Sequence, residues 1–376
     1  MAARRSILIF EYLLASPGAW RKTSVSMQRE AISMLVSLVS DFSRLPDVQP
    51  VVLVASDARV QLESSDQWPA GITVLSIEKD PAEWLACPQR VPESFAATMV
   101  IAPESGGVLI SLLRHLQTGS WQAVPNLNVS WQLAEIFTDK LRTFEWLQRH
   151  GLPTPATKAI TAAEYDRLRR SRDCASLFED EKSMPMNAGL GILKPRDGVG
   201  CEGISFIHLF EEELLPTDER LSGDDRPWLL QQYIPGVPCS VGFIGGRGVA
   251  SSTVLSPALQ NLRLQNGQPV YSGGQIPCEP VLRDAISLVA SKLAIALSDF
   301  SGYVGADIVV AQNSSKELQA SIVEVNPRLC TSYVGYRRST SDNLAAWLLA
   351  EHSELQICWN MGVTEFEATG QVRSPD

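Results

Sequence analysis

The sequence predicts an α/β protein in three parts: an N-terminal parallel βα domain, a small α+β lid and a C-terminal α+β domain. Three observations predict it. Short apolar runs alternate with amphipathic helical stretches over the first third. A glycine-spaced turn separates two β-like runs in the middle, and acids interrupt two long apolar runs near the C-terminal end. The boundaries fall at 1–130, 131–235 and 236–368, with 369–376 expected to be a disordered tail.

In the first part, SILIFEY reads as a strand over 6–12. Residues 25–42 read as a helix with Met27, Ile32, Leu35, Val36 and Val39 on one side. Strands follow at 51–55, 72–77 and 98–103; the last runs into Glu104-Ser105-Gly106-Gly107 and a helix over 108–116. Such repetition builds a parallel sheet covered by helices, and ligands of such sheets sit at the carboxyl ends of the strands. Glu11 and Glu104 lie at two such ends. In the second part, 133–150 reads as one helix stopped by Gly151, Pro153 and Pro155. A solvated helix over 161–172, an insertion over 173–189 and strands at 191–195, 203–209 and 227–234 complete it. The third part holds the strand SVGFIGG, the segments VASSTVLSPALQNLRL and YSGGQIP, and a helix over 281–298. It continues with the paired runs GYVGADIVVA and LQASIVEVNPR and a helix near 343–349.

Composition narrows the function. A net charge of −10 without a long Lys/Arg run argues against nucleic-acid binding, which needs a positive surface. The seven cysteines are never spaced C-x-x-C, and the four histidines do not cluster, which disfavours a disulfide framework, a zinc site or a His-bound metal. Arg4-Arg5 before an apolar run imitates a secretory signal, but Glu11 puts a charge where a signal core carries none. No apolar stretch reaches the ~20 residues that span a bilayer. A cytoplasmic protein with no membrane partner is expected, and sheet edges would allow a homodimer.

Two motifs carry chemistry. In Lys194-Pro195-Arg196-Asp197-Gly198-Val199-Gly200-Cys201-Glu202-Gly203, a strand delivers a lysine into a turn where Gly198, Gly200 and Gly203 let backbone N–H groups approach a phosphate chain. The Gly-Lys-Ser/Thr ending of a Walker A loop is absent. The β-like GISFIHL replaces the helix that a dinucleotide fingerprint requires. In the second motif, Glu324 and Asn326 stand two apart on a strand and share one face. A hairpin tipped near 313–316 would bring Asp307 beside them. Three oxygen ligands suit Mg²⁺, which keeps waters and takes further oxygens from phosphates. Arg328 projects near the same place and can clamp a transferring phosphoryl oxygen.

In this order, Asp139-Lys140, KPRDGVG, QQYIPG, Asp307 and EVNPR resemble the ATP-grasp superfamily over most of the chain. More narrowly, ILIFEY, APESGGVL, LSPALQ, YSGGQIP and EVNPRLCTSYVG resemble its tyramine–glutamate ligase group. The resemblance implies that Lys140 and Lys194 contact phosphates, that 198–203 is a phosphate lid, and that Gln231, Gln232, Tyr233 and Ile234 form the adenine hinge. It implies Asp307, Glu324 and Asn326 as ligands of Mg²⁺ (or Mn²⁺), and Arg328 as the arginine facing the reacting phosphoryl group. Gln231 or Gln232 stands where the hinge commonly has Glu, Cys239 falls near the usual ribose-holding acid, and Cys330 replaces a Thr.

The resemblance therefore implies an ATP-dependent ligase, joining a small-molecule carboxylate such as L-glutamate to an amine such as tyramine through an acyl phosphate. Glu11 and Glu104 are candidates to hold the cationic amine, and Arg337 or Arg338 to hold a carboxylate. The rival readings are an ATP-grasp carboxylase or phosphotransferase, and a non-catalytic nucleotide-binding protein.

Overall fold

A computed structural model describes residues 4–87, 94–161, 163–165, 190–198, 203–208, 228–246, 252–265, 268–298, 300–350 and 356–373. The insertion expected at 173–189, most of the helix expected at 161–172, and Gly200 lie outside the described residues.

The N-terminal part contains β1 (Arg5–Glu11), α1 (Tyr12–Ala15), α2 (Ala19–Lys22), α3 (Val25–Ser43), β2 (Val48–Ala55) and α4 (Arg59–Glu63). It continues with β3 (Thr73–Ile77), α5 (Pro81–Leu85), β4 (Ala97–Ile101) and α6 (Val108–Gln117). The strands form a parallel sheet in the order β3-β2-β1-β4. All five residues of β4 are buried, as a strand covered on both faces should be. The free edge of β4 is closed by Asn128, whose amide accepts from Val100 N (2.8 Å) and donates to Val100 O (2.7 Å). It extends the cover begun by the backbone of Pro125 to Leu127, where Thr98 N donates to Pro125 O (2.8 Å) and Leu127 N to Thr98 O (2.8 Å).

The helix expected over 133–150 is two helices, α7 (Trp131–Phe137) and α8 (Lys140–Arg149). Between them Asp139 leaves the helical conformation (φ −104°, ψ 107°), and its Oδ1 accepts from Leu141 N (3.0 Å) and Arg142 N (3.2 Å). That is an N-cap, which serves backbone donors a new helix leaves orphaned. The sheet of the second part is antiparallel, with β5 (Thr157–Ile160), β6 (Leu190–Pro195), β7 (Ser205–His208) and β8 (Trp228–Gln232) in the order β5-β8-β6-β7.

The C-terminal part contains β9 (Val237–Gly245), β10 (Thr253–Val254), β11 (Ala258–Gln265), β12 (Gln268–Ile276) and α9 (Pro280–Leu297). Then come β13 (Gly302–Gln312), β14 (Leu318–Asn326), α10 (Tyr333–Tyr336), α11 (Leu344–Leu348), β15 (Thr364–Glu367) and β16 (Val372–Arg373). They make one antiparallel sheet, β14-β13-β9-β11-β12-β15-β16, with β10 beside β9. The expected disordered tail is therefore a hairpin as far as Arg373, because Phe366 pairs with Val372 and is buried. The segments 253–265 and 268–276, given no secondary structure from the sequence, are strands whose register shifts between Gln260 and Leu262.

Helix α9 covers one face of this sheet through Ile286, Leu293 and Leu297, against Val241, Ile308 and Ile322. On another side, α3 packs Leu35, Leu38 and Val39 into a second core with Tyr333, Tyr336, Leu344 and Ala345. Each such side chain contributes about 1.5–3 kcal/mol relative to exposure, so α3 joins the first and third parts. Among the described residues, no helix is long and apolar enough to cross a membrane.

Candidate functional site

β13 and β14 run antiparallel and place Asp307 directly opposite Glu324, with Asn326 opposite Gly305. The register skips a residue just past Asp307, and such bulges re-aim side chains beside sites. Asn326 Nδ2 donates to Asp307 Oδ2 (3.0 Å), and Gln260 Nε2, from β11, donates to Oδ1 (2.7 Å). The hairpin inferred from sequence thus gathers all three oxygen-bearing residues on one face. Gln260 belongs to the LSPALQ segment, but nothing in the sequence marks it as reaching this aspartate.

Both predicted lysines converge on that face. Lys140, the first residue of α8, is buried, and its Nζ lies 2.7 Å from Glu324 Oε1 and donates to Gly198 O (2.8 Å). Lys194, on β6, is 3% exposed and donates to Gln231 Oε1 (2.9 Å), while Gln231 Nε2 donates to Thr157 Oγ1 (2.9 Å). A bidentate pair between Arg196 and Asp139 (2.8 and 2.7 Å), with Lys140 N donating to Arg196 O (3.1 Å), fixes the two lysine-bearing elements against each other. Both partners neighbour the motif lysines in sequence, but no local pattern signals that they pair.

The charges resolve unevenly. Burial pushes the Asp307 carboxyl up to about 6, and the nearby Glu324 adds to the push against the Asn326 and Gln260 hydrogen bonds. Glu324 is held below its ordinary range: burial opposes its charge, but Lys140 and Lys194 outweigh burial. Burial lowers Lys194 to about 8, against the pull of Glu324. For Lys140 burial acts the same way, yet Glu324 prevails and the pKa is raised. Two half-buried carboxylates, one of them pushed toward protonation, make an oxygen donor set that a divalent cation would relieve. Among the described residues no three His, Cys, Asp or Glu side chains gather as a metal cluster, so an Asn amide must complete any such set.

Arg328, just beyond β14, reaches into the N-terminal part, where its Nε lies 2.7 Å from Glu104 Oε1. Burial opposes its charge, but Glu104 outweighs burial and raises the pKa. Glu11, at the end of β1, is buried and caps α1 through Leu14 N (3.0 Å). Burial pushes Glu11 up to about 7, against those backbone bonds and Arg328, with Glu30 adding to the rise. Glu30 sits on α3 and accepts from Thr331 Oγ1. Sequence reasoning missed it, since a half-exposed helical acid has no pattern to mark it.

The remaining candidates separate. Gln231 and Gln232 are buried at the end of β8, Gln232 N being taken by Ala156 O (2.8 Å). Tyr233 and Ile234 are half-buried beyond the strand end, with the Tyr233 ring edge-on to Phe206. Gly198 and Gly203 are the nearest described residues on either side of 199–202, and Gly203 is in left-handed conformation (φ 76°). Arg337 does not face this site as a free cation: it is buried, and Asp41 accepts from its Nε (3.0 Å) and Nη2 (2.7 Å). Its neighbour Arg338 is exposed. Cys239 pairs with Ile308 and is a buried free thiol beside that of Cys278, whereas Ser240 pairs with Asp307. Alternation puts Ser240, not Cys239, on the carboxylate face.

Comparison with known proteins places the chain in a family. The ATP-grasp domain profile matches residues 137–332, more than half of the chain. The tyramine–L-glutamate ligase of Methanocaldococcus fervens is 23% identical over 274 residues, covering 73% of this chain and 72% of that protein. A solved ATP-grasp superfamily protein from Archaeoglobus fulgidus aligns over 96% of this chain and 91% of its own, with TM-score 0.62 and 17% identity. The biotin carboxylase domain of Hydrogenobacter thermophilus 2-oxoglutarate carboxylase, solved with MgADP, ADP and bicarbonate, aligns over 97% of this chain and 74% of its own. Its TM-score is 0.65 at 15% identity. With its mixed α/β architecture shared across these structures and its central 137–332 matched by the domain profile, this chain belongs to the ATP-grasp family.

Proposed function

We propose that this protein is an ATP-dependent ligase that joins a carboxylate to an amine, with L-glutamate and tyramine the first pair to test. The observation that carries the reading is the single polar face where Lys140, Lys194, Asp307, Glu324 and Asn326 meet, with Arg328 beside it. A phosphate chain on that face would take the ammonium of Lys140 in place of Gly198 O, and that of Lys194 in place of Gln231. Beyond the end of β8, Gln231 to Ile234 is the segment we assign to the adenine, and Gly198 to Gly203 the lid over the phosphates. Asp307, Glu324 and the Asn326 carbonyl would hold Mg²⁺ (or Mn²⁺), which when bound offsets phosphate charge.

In the first step a substrate carboxylate oxygen attacks the γ-phosphorus, the bond to the β-phosphate oxygen breaks and ADP leaves. Lys194 and Arg328 lie where charge builds on the phosphoryl oxygens, so the chain's contribution is positioning and electrostatics. In the second step the amine nitrogen attacks the acyl carbon, phosphate leaves, and the nitrogen gives up a proton. Glu11, pushed up to about 7, would hold the ammonium form and take the proton it must lose before its nitrogen can attack, the proton shed after attack leaving with the phosphate or solvent. Arg338 remains available for a carboxylate, whereas Arg337 is committed to Asp41.

The test is ADP release from purified protein with Mg-ATP, L-glutamate and tyramine, with products weighed by mass spectrometry. Release that needs both partners, and a product equal to their sum less water, supports the ligase. A second reading comes from the neighbour solved with bicarbonate: ADP release with bicarbonate and a carboxylated product would replace the ligase with a carboxylase.

A further inference from the structure

Glu104 is 3% exposed, yet neither of its oxygens meets an aligned hydrogen-bond donor among the described residues. It differs in this from Glu11, whose carboxylate caps a helix. Glu104 precedes a helical turn too, but makes no side-chain cap there. A carboxylate held in the interior costs several kcal/mol unless its charge is compensated, and the compensation here is the Arg328 guanidinium at 2.7 Å. The loop that carries Glu104 is also fixed. Gly106 and Gly107 turn it through left-handed conformations, and Gly106 N donates to Asp197 Oδ2 (3.3 Å) at the root of the glycine lid.

We propose that Glu104 is a positioning residue that holds Arg328 in its aimed rotamer from across the domain boundary, rather than a contact for the amine. This rests on the proposed role of Arg328 at the transferring phosphoryl group. The charged groups around Arg328 are Glu104 from the β4–α6 loop, Glu11 from β1, Glu30 from α3, Cys330 from its own segment, and Asp307, Glu324 and Lys140 on the carboxylate face, while its Nη1 donates to Leu329 O (3.1 Å). Of these, Glu104 alone makes a close ion pair with the guanidinium among the described residues. The same loop thus contacts both Arg328 and Asp197, the residue before Gly198.

Calorimetry with Mg-ADP and with the non-hydrolysable Mg-AMPPNP gives a test that needs no identified substrate. An arginine aimed at the γ-phosphoryl makes the wild type favour AMPPNP. On charge alone, Glu104→Gln removes a negative group near a polyanion and should strengthen AMPPNP binding. Positioning has the opposite sign: the AMPPNP-over-ADP preference falls roughly tenfold, ADP affinity holds, and Arg328→Gln combined with Glu104→Gln is no worse than Arg328→Gln alone. Glu104→Asp keeps the charge on a shorter arm and restores part of the preference; it also serves if the Gln variant folds poorly. A preference kept or increased in Glu104→Gln overturns the proposal and leaves the site reading standing. A wild type without any preference removes the role of Arg328, and the proposal with it. With L-glutamate, Mg-ATP and hydroxylamine but no other amine, trapped hydroxamate should fall roughly 10²-fold in Glu104→Gln. Unchanged trapping with a raised KM for tyramine would instead make Glu104 an amine contact.

Discussion

Substituting Asp41 by alanine should destabilise this protein by about 3–5 kcal/mol, because the change strands a buried cation. Asp41 is fully buried and accepts from Arg337 Nε and Nη2, from Tyr333 OH (2.8 Å) and from Arg44 Nη2 (2.7 Å). Arg44 is half exposed and can turn to water, but Arg337 cannot, since its side chain is 7% exposed. The unfolding entropy expected for 376 residues is about 0.8 kcal/mol per kelvin. If the parts joined by α3 unfold together, the loss lowers the melting temperature by about 4–6 °C. Urea unfolding followed by tryptophan fluorescence, with calorimetry beside it, measures both. Asp41→Ala/Arg337→Met removes the pair together and should recover at least half of the loss, since replacing a buried pair by apolar groups is often near neutral. A loss under about 1 kcal/mol in the single variant, or no recovery in the double, would refute the claim that Arg337 is a structural cation.

Asp307→Asn should abolish turnover while leaving the melting temperature within a few degrees; wild-type turnover would remove Asp307 from the metal-binding assignment. Lys194→Met should split two properties. Nucleotide affinity falls about 10–100-fold with the loss of a charged contact. Stability at pH 7 holds or rises, because a lysine lowered to about 8 is charged there at a cost. Equal affinity in a direct binding assay would refute its phosphate role. Glu11→Gln tests the raised carboxyl. With a folded pKa near 7 against an ordinary 4.5, the folded state binds more protons between those values. The wild type therefore loses stability as pH rises from 4.5 to 7. The variant, which keeps an oxygen for Leu14 N, should flatten that slope and be on the order of 3 kcal/mol more stable at pH 8. An unchanged slope would show that Glu11 titrates normally.

The N-terminal strands were legible because β1, β2 and β4 are buried on both faces and leave continuous apolar runs. The carboxylate face was legible because Asp307 and Glu324 interrupt such runs, and strand alternation fixes which residues share a face. The break at Asp139 was not: 133–150 carries an unbroken helical pattern that hides the local cap of Asp139 on Leu141 N and Arg142 N, and nothing nearby signals that Arg196, 57 residues on, pairs with the same carboxylate. Glu104 and Arg337 show the other limit. Position and charge suggest substrate contacts for both, but their partners Arg328 and Asp41 lie more than 200 residues away, and no local pattern signals a pair across that distance. The hairpin reaching Arg373 was hidden by its polar composition, since pairing with Phe366 rather than propensity keeps it in place.

The Asp41–Arg337 contact also bears on how such a protein can be recombined. Residues 1–130 supply the acids at the strand ends, and the later segments supply the lysines and the carboxylate pair, so grafting a foreign first segment is a natural way to seek new specificity. The buried contact acts as a compatibility code for that exchange. An incoming α3 without an acid at position 41 leaves Arg337 stranded, and an incoming acid without Arg337 is stranded in turn. Productive hybrids must therefore inherit both halves or neither, whatever their specificity.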